Sequence, residues 1–200
     1  MTWVEGVHER FVRGRRVRIL VTHLVPLVPR GARVLDVGAG DGSVARALMT
    51  VRPDLDISGV DPLVRPDARI AVRAFDGSTL PFADKSFDAV LFIDVLHHTA
   101  EPVRLLREGR RVARQVLVIK DHLREGFLAT STLRFMDAVG NRRHGVALPY
   151  NYLSAAEWER AFRSVGLLPD FETRHLSLYP FPASLLFDRS LHFVARLKVD

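Results

Sequence analysis

Residues 34–42 read Val-Leu-Asp-Val-Gly-Ala-Gly-Asp-Gly, a short apolar run that leads into three glycines at alternate positions. The apolar residues are typical of a buried strand that runs into a loop. Glycines at alternate positions let a ligand approach the backbone where any Cβ atom would block it. The segment therefore predicts a strand followed by a ligand-binding loop.

Two kinds of nucleotide ligand compete for this loop. The dinucleotide fingerprint G-x-G-x-x-G/A requires glycine or alanine at position 43, where this chain has Ser43. A dinucleotide would also bring its pyrophosphate to the start of the next helix, where Asp36 and Asp41 would repel it. A nucleoside with an amino group removes that conflict, because a carboxylate attracts a cation. The loop favours S-adenosylmethionine (SAM) over NAD, and an NAD-dependent oxidoreductase is the disfavoured alternative.

Strand and helix patterns alternate along the rest of the chain. They predict strands at 33–37, 56–60, 70–75, 87–93, 115–120, 168–175 and 191–197, and helices at 8–28, 42–51, 102–112, 128–139 and 154–165. The last helix begins with a capping box, in which Ser154 is the N-cap and Glu157 follows three residues later. This alternation predicts an α/β fold: a Rossmann-like open, mostly parallel seven-stranded sheet with helices on both faces.

The chain is predicted to be a single domain over residues 1–200. We expect residues 1–30 to form an N-terminal helix that covers the cofactor, and residues 31–121 to form the cofactor-binding core. Residues 122–153 are predicted to be an insertion that covers the acceptor pocket, and residues 154–200 a C-terminal helix and strands.

Aspartates stand at or just past five of the predicted strand ends. They are Asp36, Asp61, Asp76, Asp94 and Asp121. In an open α/β sheet the ligand binds outside the carboxyl ends of the strands, where the strand order reverses. One carboxylate there is common, whereas five predict a binding site.

Four motifs within residues 31–121 stand in a fixed order. They are Asp36-x-Gly38-x-Gly40-x-Gly42, Gly59-Val60-Asp61-Pro62, Asp76-Gly77-Ser78-Thr79-Leu80-Pro81-Phe82 and Phe87-Asp88-Ala89-Val90. Together they resemble the class I SAM-dependent methyltransferases, and within these the small-molecule group of ubiquinone- and menaquinone-methyltransferase-like enzymes (methyltransferase type 11). The resemblance implies an enzyme that methylates a small-molecule acceptor and releases S-adenosyl-L-homocysteine.

The same resemblance implies a role for each conserved-type position of the cofactor site, and these roles follow in chain order. Asp36 and the backbone at Gly38 and Gly40 would hold the methionine part and the ribose; Asp61, with Pro62 after it, would accept both ribose hydroxyls; Asp76 would accept the adenine amino group, with the Gly77 backbone beside the ring; and Asp94, or the backbone around it, would face the methionine amine. A carboxylate suits two adjacent hydroxyls because it offers two acceptor oxygens.

Methyl transfer requires alignment of the acceptor and sometimes a base that removes its proton. Candidates for the base are His97 and His98 after the fourth strand, and His122 with its neighbour Asp121 after the fifth. The alternative is that His97 and His98 cap a short helix and pack over the cofactor. The spacing of His97, His98 and His122 is not a known metal-ligand pattern, so no metal site is expected.

The predicted insertion supplies the side chains expected to contact the acceptor. They are Arg134, Asp137, Asn141, Arg142, His144, Tyr150, Asn151 and Tyr152. Loops above a rigid sheet commonly carry specificity. A dimer contact or a plain surface loop is the competing interpretation of this segment.

Composition limits the other possibilities. The chain has 200 residues, no cysteine and a formal net charge of +6. The absence of cysteine excludes disulfides, thiolate-bound zinc, iron–sulfur clusters and a cysteine nucleophile. No apolar run approaches the ~20 residues that span a bilayer, and the first residues lack a secretory signal pattern. We therefore expect a cytoplasmic monomer or homodimer without membrane contact.

The positive charge comes mainly from two arginine clusters. They are Arg10, Arg13, Arg15, Arg16 and Arg18, and Arg104, Arg107, Arg110, Arg111 and Arg114. Acidic residues dilute the second cluster and no aromatic residues interleave, so solvated helix faces are favoured over a nucleic-acid footprint. An RNA or protein methyltransferase, and a non-catalytic SAM-binding regulatory subunit, stay open as alternatives.

Overall fold

The computed structural model describes residues 3–141 and 149–199, with side chains at 14–139 and 149–199. The strands are β1 (Arg33–Val37), β2 (Asp56–Asp61), β3 (Val72–Ala74), β4 (Phe87–Ile93), β5 (Ala113–His122), β6 (Pro169–Thr173) and β7 (His192–Lys198). The helices are α1 (Trp3–Leu24), α2 (Ser43–Val51), α3 (Pro102–Val112), α4 (Ala129–Asn141), α5 (Ala155–Ser164) and α6 (Ser184–Phe187). A single 3₁₀ turn, Leu96–His98, follows β4.

All the strands belong to one seven-stranded sheet with the order β3-β2-β1-β4-β5-β7-β6. Strands β1 to β5 are parallel, and β7 runs antiparallel to β5 and β6. The order reverses between β1 and β4, so a crevice is expected at the carboxyl ends of these two strands. The predicted α/β fold, with a mostly parallel seven-stranded sheet, is confirmed.

Helices cover both faces of this sheet, as predicted. On one face, Leu106 of α3 and Trp158 of α5 pack in a core with the buried β4 residue Phe92. On the other face, Leu24 of α1 and Leu48 of α2 pack in a second core. Each fully buried leucine contributes about 1.5–3 kcal/mol of hydrophobic stabilisation. No helix of the described ranges is long and apolar enough to cross a membrane.

The element ends differ from the predicted ones in ways that matter for the site. Helix α1 ends at Leu24 rather than residue 28, because Pro26 and Pro29 follow closely. Strand β5 continues to His122 rather than ending at residue 120, because its antiparallel pairing with β7 extends to His122 opposite His192. The capping box at the start of α5 is present as predicted. Helix α6 was not predicted.

The interpretation of both arginine clusters as solvated helix faces holds only in part. Arg111 donates hydrogen bonds to the carbonyls of Leu80 and Phe82, at 2.9 and 2.8 Å, and pairs with Glu108 at 2.8 Å. It therefore fixes the loop that precedes β4. The side chains of Arg10 and Arg13 lie outside the described residues.

Candidate active site

The glycine loop after β1 is held against β2 and against the loop after β4. The backbone amides of Gly38 and Ala39 donate to the Val60 carbonyl at 2.8 and 3.1 Å. Gly38 has φ +71°, and a Cβ atom there would lie 2.5 Å from Cγ2 of Val95. Only glycine meets both the left-handed conformation and this close approach.

Gly38→Ala is therefore expected to destabilise the protein by about 2–4 kcal/mol, of which the left-handed conformation accounts for about 1–2 kcal/mol and overlap with Val95 for the rest. Chemical denaturation measures the effect. Gly31→Ala is the matched control, because Gly31 also has a positive φ (+63°) but nothing lies within 4 Å of its added Cβ. Equal losses in the two variants would contradict the argument from close approach.

Asp36, the penultimate residue of β1, is only 4% exposed. Its strand lies between β2 and β4, where Asp36 pairs in register with Gly59 and Leu91. Burial, and then the nearby Asp61 carboxylate, raise the pKa of Asp36 to about 7. The site thus concentrates negative charge where water is scarce, which favours a cationic ligand.

Asp61 ends β2 and stands across the glycine loop. Its Oδ2 accepts a hydrogen bond from the Gly40 amide, and its Oδ1 accepts one from the Leu63 amide, both at 2.8 Å. These bonds fix the carboxylate, and each oxygen retains a lone pair for a second donor. Pro62 lies beside the β3 loop, since a Cβ atom on Gly77 would lie 3.6 Å from its Cγ.

Asp76 follows β3 and is exposed. Its Oδ1 accepts from the amides of Thr79 and Ser78, both at 2.7 Å, and these bonds lower its pKa. Gly77 has φ +81° and completes the turn. Asp36, Asp61 and Asp76 therefore lie at the carboxyl ends of three adjacent strands, β1, β2 and β3.

Asp94, just past β4, is placed differently from the expectation for its side chain. Its carboxylate pairs with Arg16 of α1 and with Lys120 of β5, a side chain that is fully buried. Burial favours the neutral acid, but Lys120 and Arg16 outweigh it and hold the pKa of Asp94 well below its usual range. Because two cations already neutralise this carboxylate, the backbone around Asp94 is the better candidate to face a ligand amine.

His97 lies in the 3₁₀ turn between two carboxylates. Its Nδ1 is 2.6 Å from Oδ1 of Asp121, and its Nε2 is 3.4 Å from Oδ2 of Asp137 in α4. Burial opposes protonation, but Asp121 and then Asp137 outweigh it and raise the pKa of His97 to about 10. Burial also lowers the pKa of His98, with the neighbouring His97 adding to the effect.

The predicted pairing of Asp121 with the ring of His122 is wrong. Asp121 and His122 are consecutive residues of β5, so their side chains point to opposite faces of the sheet. The Asp121 carboxylate contacts His97 instead and receives only the backbone amide of His122, at 2.7 Å. The His122 ring lies against His192 of β7, with their Nδ1 atoms 3.0 Å apart. Burial, and then Lys120, lower the pKa of His122 well below its usual value.

The predicted insertion contacts this histidine group. The Tyr152 hydroxyl donates to Asp137, and the Asn151 side chain donates to the Thr99 carbonyl at 2.6 Å. Arg134 stacks over the Tyr150 ring at 4.7 Å. Arg142, His144 and the side chain of Asn141 lie outside the described residues, as do the side chains Trp3, His8 and Phe11 proposed for the covering helix.

Sequence reasoning missed Arg16, Lys120 and His192 as members of this group. Lys120 interrupts an otherwise apolar run, Val116–Ile119, and that interruption was the available signal. Arg16 was hidden in a basic cluster, and His192 reaches the group only through the pairing of β7 with β5.

The strand order, the glycine loop and the row of aspartates define a SAM-type nucleoside site on a Rossmann-like sheet. Residues 35–116 match the family described as "Methyltransferase domain". A demethylmenaquinone methyltransferase from Renibacterium salmoninarum is 36% identical over 155 residues, which cover 70% of this chain and 64% of that protein. The chain therefore spans less than two thirds of this relative.

Solved structures share the fold. A SAM-dependent methyltransferase from Thermotoga maritima aligns with TM-score 0.72 and 22% identity, covering 98% of this chain and 95% of that one. A methyltransferase from Haloferax volcanii, solved in complex with the methyltransferase activator Trm112, aligns with TM-score 0.69 and 18% identity over 98% and 94% of the two chains. With the matched methyltransferase domain, these findings confirm the resemblance: the chain belongs to the class I SAM-dependent methyltransferase family.

Proposed function

We propose that this protein is an enzyme that transfers the methyl group of SAM to a small-molecule acceptor. The observation that carries the proposal is the pair of carboxylates, Asp36 and Asp61, on either side of the glycine loop, with Asp36 buried and its pKa raised to about 7. A cationic nucleoside relieves the repulsion between them. A pyrophosphate would increase it.

The cofactor would lie along the carboxyl ends of β1, β2 and β3. The backbone at Gly38 and Gly40 would contact the methionine part and the ribose, while Asp61 accepts the ribose hydroxyls and Asp76, beside Gly77, accepts the adenine amino group. The protein's main contribution to the rate would be alignment of the acceptor with the methyl carbon. SAM supplies the methyl group and a neutral leaving sulfur.

The acceptor would lie over the histidine group, between the 3₁₀ turn and α4. His98 and His122 are the candidates to remove an acceptor proton, and Asp121 would be a positioning residue because it acts through His97. The residues of the insertion that meet here, Asp137 and Tyr152, are polar and almost fully buried. A pocket of this kind suits a small acceptor with a polar group better than an exposed macromolecular chain.

Calorimetric titration with SAM and with S-adenosylhomocysteine tests the cofactor, and we expect one site per chain. Incubation with isotopically labelled SAM and a metabolite extract, followed by mass spectrometry, then tests the transfer. Demethylmenaquinone is a rational first pure acceptor, because a relative is named for it. A flat titration with both nucleosides would contradict the proposal, and label that enters only RNA or protein would replace the small-molecule acceptor.

A further inference from the structure

Two buried imidazole nitrogens in the histidine group have no hydrogen-bond partner within the part of the chain that the structure describes. They are Nε2 of His97 and Nδ1 of His98. His97 is only 1% exposed. An unpartnered polar atom in a buried position is costly, so each of these nitrogens calls for a ligand.

The two histidines and Asp137 form a set of three metal-ligand types. One ligand atom from each lies within 4.8 Å of the others. His97 Nε2 and Asp137 Oδ2 are 3.4 Å apart, which matches the spacing of two ligands that each stand about 2.0–2.2 Å from one tetrahedral ion. A small closing movement of the third ligand would complete the set.

A second carboxylate orients His97 from behind. Asp121 Oδ1 lies 2.6 Å from His97 Nδ1, while its Oδ2 accepts from the Leu96 amide at 3.0 Å. The aspartate is therefore fixed on the strand side and fixes in turn the tautomer of the ring, with Nε2 directed at Asp137. A carboxylate that holds the second nitrogen of a histidine is the common outer partner of a metal-ligating imidazole.

We infer that His97, His98 and Asp137 bind a divalent transition-metal ion of the zinc or cobalt type, with a position left open for a further ligand. A protonated His97 between Asp121 and Asp137 would satisfy those two carboxylates, but it would leave the nitrogen of His98 without a partner. A metal ion accounts for both nitrogens. In the acceptor role, which rests on the proposed function, the open position would take an oxygen of the acceptor.

Titration of metal-free full-length protein with Co²⁺ tests the inference, by calorimetry and by visible absorption. We expect one ion per chain and visible absorption bands of low coordination number. His98→Ala and Asp137→Asn should each weaken binding at least 10-fold, since each removes a ligand. Asp121→Asn, which alters a positioning residue, should weaken it about 10–100-fold and shift the absorption bands.

His175→Ala is the matched control, because His175 is an exposed histidine outside the group and its loss should leave Co²⁺ binding unchanged. Asp137→Asn keeps an oxygen for the Tyr152 hydroxyl, so it decides the question if His98→Ala does not fold. Absence of stoichiometric binding, or binding that all variants retain, would overturn the inference. Titration of the metal-free protein with SAM separates this failure from failure of the cofactor site.

Discussion

Asp61→Ala is expected to lower the affinity for SAM by about 10²-fold or more. The carboxylate would accept two ribose hydroxyls, and each hydrogen bond to a charged group contributes about 1.5–3 kcal/mol. Each 1.4 kcal/mol corresponds to a tenfold change in the dissociation constant. Calorimetric titration with S-adenosylhomocysteine measures the loss without the complication of turnover.

The variant also removes the acceptor of the Gly40 and Leu63 amides, so part of the loss could come from the loop. Asp61→Asn separates the two effects, because its amide oxygen can still accept from one backbone amide while it can no longer serve both hydroxyls. Asp88→Ala is the matched control. Asp88 also accepts from a backbone amide, that of Arg33 at 2.9 Å, but it lies near the amino end of β4. Unchanged affinity in both Asp61 variants would remove the ribose assignment.

The cofactor side of the crevice could be predicted because its signals are local. Asp36, Asp61 and Asp76 each follow a short apolar run, and each precedes glycine or proline within two residues. Such segments announce both the end of the strand and the start of the loop. Once the strands are parallel, their carboxyl ends must meet at one edge.

The histidine group could not be predicted in the same way, because its contacts join parts of the chain that are distant in sequence. The pairing of Asp121 with His97 depends on which face of β5 each side chain occupies, and a two-residue error in the strand end hid that face. Asp137 reaches the same place from α4, and His192 from β7. No spacing rule within one segment reveals ligands at positions 97, 98 and 137.

Asp36→Asn is expected to stabilise the protein in the absence of cofactor at pH 8 while it weakens SAM binding. Burial raises the pKa of Asp36 from the ordinary 3.8 to about 7, so the ionised form is disfavoured in the folded state. The folded protein then binds this proton more tightly than the unfolded chain, and stability falls as pH rises from about 4 to about 7. Above pH 7 the ionised group costs about 4 kcal/mol, at 1.36 kcal/mol per pKa unit.

The neutral amide avoids that cost, although it needs hydrogen-bond partners of its own, so a gain of about 1–3 kcal/mol is expected. For a chain of this size each kcal/mol raises the melting temperature by about 2–4 °C. Thermal unfolding at pH 8 should therefore show a rise of several degrees, and the rise should shrink towards pH 5, where wild-type Asp36 is itself neutral.

Binding should respond in the opposite direction. The amide carries no charge to attract the cationic methionine end of SAM, so affinity at pH 8 should fall about 10-fold or more. The wild-type affinity should also fall as pH drops through about 7, whereas the affinity of the variant should be insensitive to pH in that range. Asp88→Asn gives the contrasting control: the Arg33 amide lowers the pKa of Asp88, so its ionised form stabilises the fold and its loss should lower the melting temperature at pH 8. A melting temperature for Asp36→Asn below wild type at pH 8, together with unchanged SAM affinity, would show that Asp36 is a structural residue and that the cation is held elsewhere.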